Sequence, residues 1–304
     1  MRYLVTGGCG FIGTNLVHTL VESGHQVKVM DWDPKNSSIV GVSITDIRDP
    51  LVHTLVQGAD VVVHLAAESG VQPSVENPKL TDSINVRGTL NMLEACVDAG
   101  VKRFILASSG TVLGNADPPF NEDMITQPTS PYGASKLAGE AYCNAFYHSY
   151  GLETVVLRFS NIYGPYAWHK NNLFVEFIKA ATKEKPLYVY GDGYKTRDFL
   201  YVKDLVDAII LASTKPDIGG EIFQIASGEE TTILDFISMM GGISLEEIAQ
   251  EVEYTHEPPR PGEAQRSYAD ISKARSMLGF EPTYSLYNGM TETFRWYVRK
   301  YYYE

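Results

Sequence analysis

The sequence predicts an α/β fold in which a doubly wound parallel sheet carries helices on both faces and a smaller α/β lobe is interleaved with it. Short apolar segments typical of strands alternate with helix-like segments through residues 1–165, which is the order expected of a parallel sheet. The segment 60–65 is almost entirely apolar, as expected for a strand buried on both faces. A glycine-rich turn separates the first strand from the first helix.

That glycine turn has the spacing of a dinucleotide-binding site. The first strand leads into Gly7, Gly10 and Gly13, and a helix follows. Glycine at these positions allows a tight turn, a close approach of the backbone to a pyrophosphate and close helix–strand packing, while the helix N-terminus supplies N–H groups. The next strand ends in Asp31, whose carboxylate can bind both hydroxyls of an adenosine ribose and would repel a 2′-phosphate. The pattern predicts a Rossmann-like site for NAD rather than NADP; a purely structural turn is the alternative.

Other small or polar residues fall at the carboxyl ends of the predicted strands. In a parallel sheet these ends lie along one edge, and the ligands of open α/β sheets bind there. The strands 42–45, 60–65 and 103–107 lead into Asp46, Ile47, Leu65, Ala66, Ala67, Ser108 and Ser109. We interpret His64, also at a strand end, as a histidine that is satisfied by local hydrogen bonds rather than as a catalytic group.

Tyr132 and Lys136 stand four residues apart at the start of a predicted helix, 132–150. Positions i and i+4 share one face of a helix, so both side chains can point to the same atom. An ammonium group beside a phenol favours the phenolate and lowers its pKa from about 10, which gives a general base for neutral pH. Alone, the pair is more typical of a solvated helix face; its place beside the other strand ends favours a catalytic role.

The regular alternation breaks after residue 165. We predict strands at 153–158, 187–190 and 221–226, helices at 171–181, 202–212, 233–240 and 245–251, and a tyrosine-rich helix at the C-terminus. Residues 1–165 and 195–230 are assigned to a Rossmann domain that binds NAD. Residues 166–194 and 231–304 are assigned to a substrate lobe that covers the open end of the sheet.

The composition argues against several classes of protein. A net charge of −12 disfavours a nucleic-acid-binding surface. No apolar run reaches the roughly 18 residues of a membrane span, and no basic segment precedes a cleavable apolar one, so we expect a cytoplasmic protein. The three cysteines are far apart and are expected to be reduced thiols. No Cys/His cluster has metal-ligand spacing, so no metal site is expected.

Several short motifs occur in order along the chain: Thr6-Gly7-Gly8-Cys9-Gly10-Phe11-Ile12-Gly13, His64-Leu65-Ala66-Ala67, Ser108-Ser109, Tyr132-x-x-x-Lys136 and Arg158-x-x-Asn161-x-Tyr163-Gly164-Pro165. Together they resemble the extended short-chain dehydrogenases/reductases, in the branch of NAD-dependent nucleotide-sugar epimerases and dehydratases. The resemblance spans nearly the whole chain and is closest to the UDP-sugar 4-epimerases. It implies NAD as cofactor and a nucleotide-diphosphate sugar as substrate. It also implies a homodimer formed through the helix 132–150 and the long helix that we predict before it, at 77–99.

The resemblance also implies roles for individual residues. Tyr132 would be the base, Lys136 would lower its pKa and hold the nicotinamide ribose, and Ser109 would bond the reacting hydroxyl. The cofactor would be bound by Gly7, Gly10, Phe11, Ile12, Gly13, Asp31, Asp46, Ile47, Leu65, Ala66, Ala67, Asn85, Ser108, Tyr132, Lys136 and Ser160. The substrate would be bound by Ser109, Tyr132, Asn161, Tyr188, Tyr190, Arg197, Arg260 and Glu263. Both arginines are expected in loops and suit a diphosphate; a surface salt bridge is the alternative for each.

The residues after Ser109 bear on the reaction. Related dehydratases and decarboxylases carry an acid two residues after that serine, whereas this chain has Gly110 and Thr111. The resemblance therefore implies 4-epimerisation, in which a 4-keto sugar forms, turns over in the pocket and takes the hydride back on its other face. A net oxidoreductase or a lyase on a similar substrate is the alternative. A non-catalytic member of the family would typically lack the Tyr or the Lys.

The sequence defines the sugar of the substrate less narrowly than it defines the reaction. The stretch 64–74 resembles 4-epimerases acting on UDP-glucose, UDP-N-acetylglucosamine or UDP-glucuronate. Glucuronate epimerases tend to have an arginine where this chain has Gln72, and Ser267 in place of a large Tyr would leave room for an N-acetyl group. We expect a 4-epimerase of the UDP-glucose/galactose or UDP-GlcNAc/GalNAc type, with UDP-glucuronate as the alternative. Leu113 stands where the family usually has Tyr, a departure that could alter the sugar pocket.

Overall fold

The computed structural model describes residues 1–34, 38–170, 172–182, 185–259 and 264–302. The first half contains β1 (Arg2–Thr6), α1 (Phe11–Glu22), β2 (Gln26–Asp31), β3 (Val42–Ile44), α2 (Val52–Leu55), β4 (Val61–His64), α3 (Val71–Glu76), α4 (Pro78–Asp82), α5 (Thr89–Asp98), β5 (Arg103–Ser109), α6 (Pro131–Tyr150) and β6 (Glu153–Phe159). The second half contains β7 (Asn161–Tyr163), α7 (Leu173–Ala181), β8 (Leu187–Tyr190), β9 (Thr196–Arg197), β10 (Phe199–Tyr201), α8 (Val202–Thr214), β11 (Ile222–Ile225), β12 (Thr231–Thr232), α9 (Ile233–Ile248), β13 (Tyr254–Glu257) and α10 (Leu286–Tyr301).

Seven parallel strands form the main sheet, in the order β11-β6-β5-β4-β1-β2-β3. Side chains alternate between its faces, as the period of a strand requires. Val5 and Val63 join a buried cluster with α1 and α8, whereas Leu4 and Val62 join one with α5 and α6. Because helices cover both faces, β4 is buried at every residue. The predicted doubly wound α/β fold is confirmed.

A third buried cluster forms the smaller lobe. The parallel pair β8–β13 packs with α7, α9 and α10, and two further short pairs, β7–β10 and β9–β12, accompany it. Phe174, Phe236 and Phe294 are among its buried side chains. Phe11, the first residue of α1, belongs to the same cluster, so the glycine turn and the lobe share a packing contact.

The division into two domains stays a prediction, with one observation on its boundary. The side chains of Ala269, Ile271 and Leu278 are buried in the cluster that contains α1 and α8, not in that of the lobe. The segment 269–280 therefore packs on the sheet side, although we assigned it to the lobe from sequence. Chain order alone did not reveal this return to the sheet.

One helix prediction was wrong in detail. α9 is one continuous helix, not two, and it passes through Gly241 and Gly242. Its buried residues Phe236, Met240 and Ile243 recur at helical spacing, so packing in the lobe maintains the helix across the glycines. The long helix predicted at 77–99 is confirmed: α4, a π-helical stretch at 83–88 and α5 follow one another without a break over 78–98, and α3 precedes them. A membrane crossing would need a longer and more apolar helix than any in the described part of the chain.

Asp198, between β9 and β10, joins three segments that are distant in sequence. Its carboxylate accepts hydrogen bonds from the backbone of Ser227 at 2.8 Å and of Gly228 at 3.0 Å, and from Ser227 Oγ at 2.8 Å. A longer bond, of 3.4 Å, comes from the backbone of Ala269. Burial raises the pKa of Asp198, and these bonds act in the opposite direction. The carboxylate therefore fixes the loop after β11 and the segment 269–280 against β10.

We expect Asp198→Ala to lower the free energy of unfolding by about 3 kcal/mol or more, because each buried donor left unpaired costs about 1–3 kcal/mol. Asp117→Ala serves as the control: Asp117 is exposed, and surface changes usually stay within about 0.5 kcal/mol. Urea denaturation of both variants measures the difference. Equal stability of the two variants would contradict the role given to Asp198.

Candidate functional site

The turn between β1 and α1 is packed so closely that Gly7 and Gly13 leave no room for a side chain. Gly7 has a φ of +66°, and a Cβ there would lie 2.8 Å from the backbone nitrogen of Ala66. A Cβ at Gly13 would meet the carbonyl oxygen of Gly7 and the Cα of Gly8. The start of α1 therefore lies directly against the turn and the loop after β4. Such a glycine cradle allows a ligand's pyrophosphate to approach the backbone.

The N-terminus of α1 suits an anion. Gly10, the residue before the helix, provides no side-chain cap, so it leaves the N–H groups of Phe11 and Ile12 without a capping oxygen. These groups and the positive end of the helix dipole together favour a phosphate.

Asp31 closes β2 and fixes the glycine turn to it. Its Oδ2 accepts a hydrogen bond from the backbone of Cys9 at 2.9 Å, and its Oδ1 accepts one from the backbone of Asp33 at 3.1 Å. Each carboxylate oxygen can accept more than one bond. The contact with ribose hydroxyls stays a prediction, and this geometry leaves room for it.

Asp46 and Ile47 follow β3. Arg48 donates to both oxygens of Asp46, at 2.9 and 2.5 Å, and the hydrogen bond lowers the pKa of that carboxyl. Arg48 also donates to Ser83 Oγ at 2.9 Å. Ile47 is buried, and its Cδ1 would lie 2.5 Å from a Cβ at Gly88. Contact of these residues with a cofactor stays a prediction.

Asn85 connects the loop after β4 to α6. Its Nδ2 donates to the carbonyl of Glu68 at 3.0 Å and to Ser135 Oγ at 2.9 Å, while its Oδ1 accepts from the backbone of Glu68 at 2.8 Å. Both amide hydrogens are thus used. Asn85 lies in the π-helical stretch, a feature frequent at functional sites. It holds in place the loop that contains Leu65, Ala66 and Ala67, and its own contact with a cofactor stays a prediction.

His64 is buried between two threonines. Its Nδ1 lies 2.8 Å from Thr6 Oγ1 and its Nε2 lies 3.0 Å from Thr89 Oγ1. Burial, assisted by the charge of Lys136, lowers the pKa of His64 to about 3, so the ring is neutral at physiological pH. Both nitrogens have partners, which confirms the interpretation of His64 as a locally satisfied histidine.

Tyr132, Lys136 and Ser109 converge at the end of β5. Ser130 caps α6 by accepting a hydrogen bond from the backbone of Gly133 at 3.1 Å, and the helix places Tyr132 and Lys136 on one face. Lys136 Nζ lies 5.8 Å from the centroid of the Tyr132 ring. The Ser109 hydroxyl lies close enough to the Tyr132 phenol to lower its pKa. The structure therefore brings the three predicted catalytic side chains together.

Burial opposes the charged forms of the Tyr132 phenol and the Lys136 amine. It raises the pKa of Tyr132 to about 12, although the hydrogen bond from Ser109 acts in the opposite direction. It lowers the pKa of Lys136 to about 8, which the nearby charge of Glu140 opposes. The direction for Tyr132 is the reverse of the one expected from the sequence, because desolvation outweighs the favourable contacts. A further positive charge at the site would lower the pKa of the phenol.

Ser160 follows β6, and its hydroxyl group can still form a hydrogen bond. Its Oγ is buried and has no hydrogen-bond partner among the described residues. A buried hydroxyl without a partner costs free energy, so a ligand that bonds it would be favoured. This atom, the glycine cradle and the uncapped helix together fit the dinucleotide NAD.

Three of the predicted substrate residues lie on strands of the lobe. Asn161 begins β7 and donates through Nδ2 to the carbonyl of Asp198 at 3.2 Å. Tyr188 and Tyr190 lie on β8 and share its more exposed face, with Tyr188 exposed by 45%. The Tyr188 ring is therefore accessible, and contact of either tyrosine with a substrate stays a prediction.

The arginine positions differ from the expectation. Arg197 lies on β9 rather than in a loop, and its Nη1 donates to the carbonyls of Thr196 at 2.7 Å and Ala264 at 3.0 Å. These bonds hold the segment that begins at residue 264. Arg260 and Glu263 lie outside the described residues.

Two charged groups near the site are missing from the sequence-based prediction. Glu140 forms a buried ion pair with Arg158; it stands four residues after Lys136, and that spacing could have revealed it. Lys170 donates to Ser69 Oγ at 2.9 Å, in the loop after β4. No local pattern signals this second contact, because the two residues are 101 positions apart.

The chain matches the protein-family model described as GDP-mannose 4,6 dehydratase over residues 4–293. It is 33% identical over 314 residues to the UDP-glucuronate 4-epimerase of Thermodesulfobacterium geofontis, an alignment that covers 97% of this chain and 95% of that protein. The similarity therefore extends far beyond the dinucleotide turn.

Solved structures agree with this similarity. The UDP-glucose 4-epimerase of Thermotoga maritima, in complex with UDP-glucose, superposes with a TM-score of 0.91 at 33% identity, covering 99% of both chains. The UDP-glucuronic acid 4-epimerase of Bacillus cereus, in complex with UDP-glucuronic acid and NAD, superposes with a TM-score of 0.89 at 33% identity, covering 99% of this chain and 100% of that one.

We expect Gly13→Ala to weaken NAD binding by about tenfold or more, because its Cβ would push α1 away from the turn that receives the pyrophosphate. Titration of each protein with NAD, followed by calorimetry, measures the loss. Gly241→Ala is the matched control: nothing lies within 4 Å of its Cβ, so NAD binding should not change. Wild-type affinity in Gly13→Ala would remove this turn from the cofactor site.

Proposed function

Because this chain belongs to the nucleotide-sugar epimerase/dehydratase family of extended short-chain dehydrogenases/reductases, we propose that it is an NAD-dependent UDP-sugar 4-epimerase, an isomerase. The substrate pair is UDP-glucose/galactose or UDP-GlcNAc/GalNAc. The relatives described above support 4-epimerase activity on a UDP-sugar: one is named for UDP-glucose and two are named for UDP-glucuronate.

The proposal rests on the end of β5. The predicted catalytic residues converge there, and neither of the two residues after Ser109 is an acid. Gly110 and Thr111 form a turn of 3₁₀-helix, in which Thr111 Oγ1 donates to Ser109 Oγ at 3.1 Å. The position of the acid in related dehydratases is thus taken by a neutral hydroxyl. Leu113, in place of the usual Tyr, is buried in the core. Elimination of water needs a second acid–base group, so this turn favours epimerisation.

In the proposed mechanism, Tyr132 takes the proton of the sugar 4-hydroxyl and returns it after the sugar has turned. Ser109 bonds the same sugar oxygen and holds it near the phenol. Lys136 stabilises the phenolate through its charge. NAD, when bound at the glycine turn, supplies reversible hydride acceptance at C4 and, in its oxidised form, a positive charge that favours the phenolate.

The remaining site residues have proposed supporting roles. Asn161 and Arg197 would bind the substrate's diphosphate together with Arg260, since an arginine fork matches phosphate oxygens. Tyr188, Tyr190 and Glu263 remain predicted substrate contacts. Because epimerisation involves no net redox change, the NAD would remain bound and return to its starting form in every turnover.

A second candidate substrate, UDP-glucuronate, is favoured by Lys170. Gln72 cannot pair with a sugar carboxylate as an arginine would, and its Nε2 donates to Glu76 Oε1 at 3.1 Å. Lys170, however, places its ammonium group at Ser69, in the loop that follows β4. Burial lowers the pKa of Lys170, and Glu68 acts in the opposite direction. A partly desolvated cation at this edge of the sheet suits an anionic group on the sugar.

A homodimer is also proposed, on the resemblance to the family. The stretch before α5 carries exposed apolar side chains, with Val75 exposed by 57% and Leu80 by 38%. Exposed apolar groups of this kind are typical of surfaces that pair with another protein. Sedimentation of the purified chain would measure its oligomeric state.

We expect Tyr132→Phe to fold and bind NAD but to lose about a hundredfold or more of its turnover, because the general base is gone. Tyr142→Phe, on the same helix, removes a phenol away from the site and should retain turnover. NMR detection of inversion at C4 across a panel of UDP-sugars measures the rates. Near-normal turnover in Tyr132→Phe would exclude Tyr132 as the base.

We expect Lys170→Met to lower kcat/KM for UDP-glucuronate by about tenfold or more relative to UDP-glucose, because a charge-assisted bond to the carboxylate is lost. Lys102→Met, exposed at the opposite edge of the sheet, is the control. An equal decrease for both sugars would assign Lys170 to a shared part of the substrate. A wild-type protein inactive on UDP-glucuronate would exclude the second candidate.

A further inference from the structure

A buried ion pair lies beside Lys136 in α6. Glu140 follows Lys136 by four residues, and its side chain is only 3% exposed. Its carboxylate accepts hydrogen bonds from Arg158 Nε at 2.9 Å, from Arg158 Nη2 at 2.7 Å and from Ser108 Oγ at 2.5 Å. Arg158, on β6, is equally removed from water, with 2% of its side chain exposed.

The same residues hold the end of β5. Ser108 is paired in register with Arg158 on the neighbouring strand, and Glu140 fixes its hydroxyl. The carbonyl of the preceding residue, Ala107, accepts a hydrogen bond from Lys136 Nζ at 2.8 Å. Glu140 is therefore connected to Lys136 twice, through one turn of α6 and through the backbone of β5.

We propose that Glu140 is a positioning residue for the epimerase reaction: its charge, held by Arg158, keeps Lys136 protonated, and its bond to Ser108 fixes the carbonyl that holds the ammonium group near Tyr132. Glu140 has no contact with the reacting atoms in this scheme and acts through Lys136. The inference rests on the roles proposed above for Tyr132 and Lys136.

The proton on Lys136 needs such support, because a buried ammonium group loses its proton easily. Burial lowers the pKa of Lys136 to about 8, and Glu140 opposes that effect. Of the other titratable groups described beside this pair, His64 on β4 is neutral and burial raises the pKa of the Cys143 thiol on α6, so neither adds negative charge. Without Glu140, Lys136 would be neutral at a lower pH and would no longer stabilise a phenolate.

A second carboxylate, Glu122, approaches from the loop before α6 but does not replace Glu140. Its Oε1 accepts a hydrogen bond from the backbone of Gln224 at 2.7 Å. Burial raises the pKa of Glu122, and Arg158 opposes this effect from a distance. Within the described residues, Arg158 Nη1 has no hydrogen-bond partner. Glu140 is thus the carboxylate that Arg158 holds.

Three variants of this chain, each loaded with NAD, test the proposal. Glu140→Gln removes the negative charge but leaves a buried arginine unpaired, which threatens folding. The double variant Glu140→Gln/Arg158→Met removes both charges and is expected to fold, since replacing a whole buried ion pair is often tolerated. Glu140→Asp keeps the charge and is the matched control.

The measurement is kcat against pH at saturating UDP-sugar. On the alkaline side, activity falls as Lys136 loses its proton. Removal of the Glu140 carboxylate lowers the pKa of Lys136, so in Glu140→Gln the alkaline fall of kcat should move to lower pH by about one unit. In the double variant the shift has the same direction but is smaller, because loss of the positive charge of Arg158 acts against it. In Glu140→Asp, kcat should fall at the same alkaline pH as in the wild type, even if turnover or stability is lower. A purely structural role would lower kcat by the same factor at every pH.

An unchanged alkaline fall of kcat in Glu140→Gln, or in the double variant if only that one folds, would overturn the proposal. Loss of folding in both would also overturn it, since the ion pair would then serve stability alone. A wild-type protein that inverts C4 of no UDP-sugar would instead refute the proposed function, so the two failures are distinguishable.

Discussion

The register of the parallel strands is the constraint on which the site depends. Thr6 pairs with His64, His64 pairs with Leu106, and Ser109 pairs with Phe159. Because β1, β4, β5 and β6 run in the same direction, the residues that end them lie along one edge of the sheet. The glycine turn, the loop after β4 and the serines after β5 become neighbours for this reason, and α6 covers them from one side. A slip in register would separate the site residues that follow these four strands.

The features that the sequence predicts well are those with a local signal. The glycine turn, the apolar strands and the Tyr132–Lys136 spacing each occupy a few consecutive residues, and their geometry follows directly from backbone sterics and helical period. The order of strands and helices then predicts the parallel sheet, and the sheet predicts which edge holds the site. Even the interpretation of His64 follows this route, since a residue that ends a central strand is surrounded by its neighbouring strands.

The remaining features depend on contacts between distant segments, which leave no periodic trace in the sequence. Asp198 bonds the backbone of Ser227 and Gly228, and Lys170 reaches Ser69 across 101 positions. The break predicted in α9 failed for another reason. Glycine in a helix costs about 1 kcal/mol, and the packing of Phe236 and its neighbours in the lobe exceeds that cost. The pKa of Tyr132 was predicted in the wrong direction because its burial depends on the whole fold.

Burial also limits the chemistry that the site can sustain. Lys136, Glu140 and Arg158 are all buried, so a change in their total charge would be opposed by desolvation. An epimerisation takes one proton from the sugar and returns it through the same phenol, and the site ends each turnover with the charge it had at the start. An elimination would need a second group to protonate the departing hydroxide, where this chain has Gly110 and Thr111. Neither residue ionises, so the electrostatics of the buried charges and the chemistry of that turn favour the same reaction.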